Sequence, residues 1–185
     1  RGKIARPRDH VRDEIAHRHL RAHERVHRAV RVVVLVQCVR GPIDDRIELV
    51  HHQQLLVQRG DKSVVPALKE LVLHAPDWRT RLQALWTIEG LDSMDAATVR
   101  AALKDQNAMV RNGAVRCAEA FLGDPSMLAA VMNLANDPSW QVRRQLAASL
   151  GELPADQRGG PIVAMLRKYG NDEITVDAAV SGLKG

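Results

Sequence analysis

Three histidines, His19, His23 and His27, recur at four-residue intervals, with His17 beside them. On a helix that spacing would line the imidazoles along one face, where they could ligate zinc, copper or nickel. Arg12, Arg18, Arg21, Arg25, Arg28, Arg31 and Arg40 crowd the same stretch and oppose cation capture. No cysteine or carboxylate completes a known ligand spacing there. His19, His23 and His27 are therefore weak metal candidates, and the sequence assigns no metal or other cofactor; a basic interaction tail is a second reading. Cys38 and Cys117 offer neither a CxxC pair nor a disulfide framework. Asp44-Asp45 and Asp172-Glu173 are neighbours along the chain rather than partners across a cleft, and read as solvated turns. Gly159-Gly160-Pro161 lacks the GxxxxGK[ST] order of a phosphate cradle and reads as a flexible turn. Ser149 has no His or acid at a hydrolytic-triad spacing. No catalytic residue is assigned.

A second set of residues has a longer spacing. Arg81, Arg111 and Arg143 stand 30 and 32 residues apart, in segments that align as Trp78 to Leu85, Met109 to Val115 and Gln141 to Ala147. A guanidinium fork can grip phosphate. At a repeat period beside acidic turn residues, however, it reads more simply as an internal ion-pair ladder.

The elements that must position those arginines follow from the same alignment. A period near 30 suits a two-helix unit. Val110, Ala114, Cys117, Ala118 and Phe121 make an apolar helical stripe, matched by Val142, Leu146 and Leu150 and by Ala84, Leu85, Ile88 and Leu91. Shorter helices precede them, around Val64 to Val72, Val99 to Leu103 and Leu128 to Ala135. Asp137-Pro138 predicts a helix over about 138 to 150, with Gly151 closing it in a left-handed conformation. Pro161 is expected to open a further helix closed by Gly170, with Ile174 to Leu183 as its partner and Asp177 in place of the arginine. Short helices need stacking to persist, so the expected fold is an all-α, short α-solenoid. Its units are approximately 63–91, 95–122, 126–151 and 155–184.

The segments Leu55 to Asp61, Asp77 to Leu91, Ala102 to Asp105 with Val110-Arg111, and Gln141 to Gly151 resemble HEAT repeats. More narrowly, residues 54–185 are similar to the HEAT segment of planctomycete-type haem-binding dehydrogenase-like proteins, which also carry a propeller and a CxxCH cytochrome c module. The resemblance implies a ladder in which a turn Asp and a second-helix Arg link neighbouring units. Asp105 with Arg111, and Asp137 with Arg143, match that pattern, while Asn171 and Asp177 depart from it. Neither the propeller nor CxxCH is present, so redox activity does not carry over. If the resemblance extends to a parent protein, it implies a periplasmic or otherwise extracytoplasmic location. Some HEAT-like proteins also resemble DNA glycosylases, and Trp78, Trp86 and Trp140 with Arg79, Arg116 and Arg144 supply the aromatics and cations for such an alternative.

Composition weighs against that alternative. Residues 1–60 carry 13 Lys/Arg against 7 Asp/Glu, whereas residues 61–185 carry 14 against 15. The basicity therefore lies outside the repeats. Residues 1–53, rich in His and Arg and lacking aromatics, break the repeat pattern abruptly. They are expected to be irregular, out-of-frame or chimeric. No run approaches the roughly 20 apolar residues of a membrane span. The expected function is a non-enzymatic scaffold, a fragment of a larger multidomain protein, whose partner is a protein or its own flanking domains.

Overall fold

The computed structural model describes residues 53–54, 56–181 and 183. His19, His23, His27, Cys38 and Asp44-Asp45 lie outside the described residues. The chain divides into two compact units, Arg1–Ala67 and Leu68–Gly185. In the first, residues 53–54 and 56–59 are helical. Gly60 then turns the backbone at φ +60°, a conformation open to a residue without Cβ. The Asp61 carboxylate accepts from the Ser63 amide at 3.0 Å and caps a single 3-10 turn, Lys62–Val64.

The helices that follow are α1 (Val65–His74), α2 (Trp78–Gly90), α3 (Ala96–Ala102), α4 (Ala108–Cys117), α5 (Pro125–Met132), α6 (Trp140–Ser149), α7 (Ala155–Tyr169) and α8 (Glu173–Ser181). No strand occurs among the described residues. Several starts have a clear chemical cause. Asp77, Asp95, Asn107 and Asp124 each turn a side-chain oxygen onto an amide of the first turn, satisfying a donor that has no partner within the helix. Pro125, first in α5, has no amide to leave unsatisfied.

Three expected boundaries differ. The helix after Asp137-Pro138 begins at Trp140, because Asp137 accepts from the Ser139 amide at 2.8 Å and Ser139 becomes the capping residue. Pro138 therefore lies in the turn. Gly151 does not close α6 in the left-handed region: the chain tightens into a 3-10 turn, Leu150–Glu152, and Gly60 is the glycine with positive φ among the described residues. Pro161 does not open a helix either. Gln157 and Arg158 donate to the Pro154 carbonyl, so α7 starts at Ala155 and carries Gly159, Gly160 and Pro161 inside it. Gly170 does stand at the end of α7, at φ −66°, where an added Cβ would meet the Leu166 carbonyl oxygen at 2.6 Å.

Within Leu68–Gly185, α2, α4, α6 and α8 form one layer, each packed on the next. The same helical positions fill the core throughout. Thr80, Val110, Val142 and Thr175 are buried, as are Ala84, Ala114, Leu146 and Ala179. Small residues at the seams bring the axes close. At Gly113 an added Cβ would lie 2.6 Å from Leu82 Cδ1. Each larger side chain buried in this way contributes about 1.5–3 kcal/mol. That burial supplies the stability which helices of 7 to 15 residues lack alone.

Candidate functional site

The ladder arginines all occupy one position. Arg81, Arg111 and Arg143 each donate their own amide to the carbonyl of the residue capping their helix, Asp77, Asn107 and Ser139. That first helical bond fixes their side chains at equal height. Arg81 grips Asp105 with two parallel bonds, Nε to Oδ2 at 2.6 Å and Nη2 to Oδ1 at 2.9 Å. Arg111 repeats the fork on Asp137 at 2.7 and 2.9 Å. The remaining nitrogen of each guanidinium turns back to its own unit. Arg81 Nη1 donates to the carbonyls of Ala75 and Pro76, and Arg111 Nη1 to those of Asp105 and Gln106. Each arginine therefore ties the turn before its own helix to the turn before the next one.

The carboxylates are nearly dry, with 8% of the Asp105 side chain and 3% of the Asp137 side chain exposed. Burial alone would push both carboxyls up. The arginine fork, one turn amide each and the charges of two flanking arginines outweigh it, and hold both below the ordinary carboxylate range.

Arg143 stands at the same position but lacks a carboxylate. Its Nη1 donates to the Asp137 and Pro138 carbonyls at 2.6 and 3.1 Å, and its guanidinium lies over the Tyr169 ring, 4.9 Å from the centroid. The Tyr169 hydroxyl donates to the Ala135 carbonyl at 2.7 Å, holding the ring in place. Hydrogen bonding also corrects the expected register of the last unit. Val176 donates to the Asp172 carbonyl, so Val176, not Asp177, stands where the arginine would be. Gly170, not Asn171, then stands at the carboxylate position. Asp172 accepts from the Thr175 hydroxyl at 2.5 Å, a helix-start contact, and Glu173 begins α8.

A second row of ion pairs joins the outer helices, and the sequence reading did not include it. Lys69 on α1 pairs with Asp95, the cap of α3, and Arg100 on α3 pairs with Asp124, the cap of α5, at 2.7 Å. Lys69 and Arg100 are 31 residues apart, and Asp95 and Asp124 are 29 apart. The same period therefore runs through them and could have revealed them. These pairs are more exposed and hold correspondingly less energy.

At the opposite ends of the helices Ser149, buried on α6, donates to Glu119 Oε1 at 2.5 Å and accepts from Gln145. N-terminal ends of α2, α4 and α6 thus meet through the ladder, and the ends of α4 and α6 meet again through Ser149, so these helices run parallel. Cys117 lies inside this layer with its thiol pushed up to about 12, chiefly by burial and then by the Glu89 charge. A protonated, buried thiol is a small apolar filler.

The solvent side of the layer carries Arg79, Trp86, Met109, Arg116 and Arg144, with Trp140 at the start of α6. Its charge is mixed, because Glu89 and Glu119 follow on α2 and after α4, and Asp177 on α8. Trp78 is half-buried with Arg79 over its ring at 4.7 Å, whereas Trp140, at the start of α6, is 46% exposed. An open recess of about 460 Å³ near the ladder's first rung is lined by His74, Pro76, Arg81, Lys104 and Asp105 among others. Among the described residues no cluster of three or more His, Cys, Asp or Glu is arranged to hold a metal ion. No described helix is long and apolar enough to cross a membrane.

Residues 96–184 match the family model for HEAT repeats, spanning α3 to α8 and including the Arg111–Asp137 rung and the Arg143–Tyr169 stack. No curated protein matches the chain. With its stacked helix pairs, Leu68–Gly185 is an all-α HEAT-type fold.

Proposed function

We propose that the chain is a non-enzymatic HEAT-repeat scaffold that holds a protein partner or spaces flanking domains, with the repeats running from about residue 54 to 185. The observation that carries this reading is the use made of the ladder. Asp105, Asp137, Arg81 and Arg111 have the residue types and convergence of a binding site, yet their hydrogen bonds join one repeat to the next. Such pairs fix the register of neighbouring units more than they add net stability. A stack held in register offers a long, firm surface, which is what a scaffold needs. The resemblance read from Asp77 to Leu91 supports taking the module as part of a larger multidomain redox-type protein, where it would space a propeller from a cytochrome c domain.

Capture of the native partner by the full chain and by residues 54–185 tests the proposal. Equal recovery is expected. Loss of the partner with residues 1–53, or reproducible turnover of a substrate by residues 54–185 alone, would overturn it.

A further inference from the structure

The row of rungs stops at an arginine that is held as the others are. Nη1 of Arg81, Arg111 and Arg143 donates in every case to the carbonyls six and five residues earlier: Ala75 and Pro76, Asp105 and Gln106, Asp137 and Pro138. Those bonds anchor one corner of each guanidinium. On Arg81 and Arg111 the other edge, Nε and Nη2, holds a carboxylate with two parallel bonds. On Arg143 neither Nε nor Nη2 donates to an acceptor among the described residues. The Tyr169 ring, shared with Lys168 at 5.4 Å, attracts the charge but offers no pair of oxygens to that edge. Gly170 stands at the acid's position, six residues before Val176 as Asp137 is before Arg143. A Cβ there would meet the Leu166 carbonyl oxygen at 2.6 Å, so the chain cannot place its own acid at 170 without shifting backbone. Chain neighbours aside, nothing but the Leu166 backbone lies within 4 Å of that point, so no other side chain has taken the place. Arg143 is part-exposed, and Lys168, Gly170 and Asp172 around it are exposed, which leaves the edge open to an outside group.

We infer that Arg143 is a binding site for a carboxylate supplied from outside the repeats, an Asp or Glu side chain of the scaffold's partner, which closes a third rung. The inference rests on the scaffold reading and names the group by which the partner is held. Geometry rather than net charge selects the occupant. Lys168 is balanced by Asp172 and Glu173 in the turn that follows, whereas a fork of two parallel N–H donors matches the two oxygens of a carboxylate. The two other forks of the row each hold one. The competitor within the chain is Asp172. Its carboxyl is held low, first by the Thr175 hydroxyl and last by the Arg143 charge, and it makes no ion pair with Arg143. Spent on the start of α8, Asp172 leaves the fork open.

Nitrogen-15 NMR of the full chain, followed at the arginine Nε–Hε resonances at about pH 6 and constant ionic strength, tests the inference with acetate as the probe and chloride as its control. The Arg143 signal, assigned by its loss in Arg143→Lys, should move saturably with acetate, half-saturating at about 10–100 mM, the strength of one charge-assisted fork. Arg81 and Arg111 are already paired and should stay still, so the wild-type chain carries its own controls. Acetyl-Ala-Asp-Ala-amide should shift the same signal, and acetyl-Ala-Asn-Ala-amide should not. Asp172→Asn, at an exposed residue, should tighten acetate binding about two- to fivefold by removing a neighbouring charge. An unmoved Arg143 signal, equal shifts with chloride, movement of all three arginines together, or tighter binding of sulfate than of acetate would overturn the inference. So would a response to acetate that emerges only in Asp172→Asn, since the fork then belongs to Asp172. Acetate binding without binding of the aspartyl peptide would give the site to a free carboxylate and overturn the partner's part in it. Each of these results leaves the scaffold reading to its own test, capture of the partner by residues 54–185.

Discussion

Replacing Arg111 by Met keeps most of the aliphatic stem and removes four hydrogen bonds: two to Asp137, at 2.7 and 2.9 Å, and two to the carbonyls of Asp105 and Gln106, at 2.7 and 2.9 Å. Asp137 is left with the Ser139 amide as its remaining bonded donor. With 3% of that side chain exposed, water has little access to replace the fork. Removing one partner of a buried pair costs about 3–5 kcal/mol, because the other charge stays buried without compensation. At about 4 °C per kcal/mol for a unit of this size, the melting temperature should fall by roughly 12–20 °C. Asp137→Asn retains an oxygen for the Ser139 amide and should cost less, about 1–3 kcal/mol. The double variant should be more stable than the sum of the two single losses implies, by about 1 kcal/mol or more.

The dependence on pH separates this account from a general loss of packing. In the wild-type chain the Asp137 carboxyl is held below its ordinary value, so its contribution is complete above about pH 4. It is lost as pH falls through the lower, folded-state value. In Arg111→Met, burial is opposed only by the Ser139 amide and the Arg143 charge, and the folded-state value is expected to rise above the unfolded one. Lowering the pH from 7 toward 4 then neutralises the stranded carboxylate, and the variant should gain stability where the wild type stays level. Urea unfolding followed by circular dichroism at 222 nm across that range measures both curves. An Arg111→Met loss under about 1 kcal/mol, or a variant whose stability runs parallel to the wild type between pH 7 and 4, would refute the reasoning.

Three further outcomes are expected. Gly113→Leu should destabilise the fold by about 2–3 kcal/mol in urea titrations, because Leu82 and Trp86 already fill the space beside the backbone. Gly113→Ala should stay within about 1 kcal/mol of wild type, since the helix-propensity gain offsets the contact with the mobile end of Leu82. Native Cys117, with its thiol pushed up to about 12, should resist iodoacetamide at pH 8 and alkylate readily in urea, as read by mass spectrometry of its peptide. Tyr169→Phe should cost about 1 kcal/mol by losing the bond to the Ala135 carbonyl, and Tyr169→Leu about 1 kcal/mol more by also removing the ring beneath Arg143; thermal melts rank the two.

The helical stripes and the arginine period were legible in the sequence because both are set by positions repeated within each unit. Bonding across units was only partly legible. Asp105 and Arg111 are matched in the sequence as turn acid and helix base, yet the bond between them runs through the Asp105 carbonyl, while its carboxylate belongs to Arg81 of the preceding unit. A period of about 30 cannot separate those two roles, since both partners recur with it. The last unit shows the same limit. The sequence alignment sets Asp177, 34 residues after Arg143, opposite the arginines, but the Val176 amide bond to the Asp172 carbonyl puts the register one residue earlier. Where the acid then falls at Gly170, Arg143 takes an aromatic face instead. Tyr169, which sequence composition presents only as a lone tyrosine, becomes the partner that ends the row. The solvent face was hidden for a related reason. The near-zero balance of residues 61–185 averages the arginines of α2, α4 and α6 against acids gathered in turns and caps. Asp77, Asp95, Asp105, Asp124 and Asp137 are bonded at helix starts or in the ladders, whereas Glu89, Glu119 and Asp177 stand with Arg79, Arg116 and Arg144 on the solvent face, which therefore keeps a mixed charge.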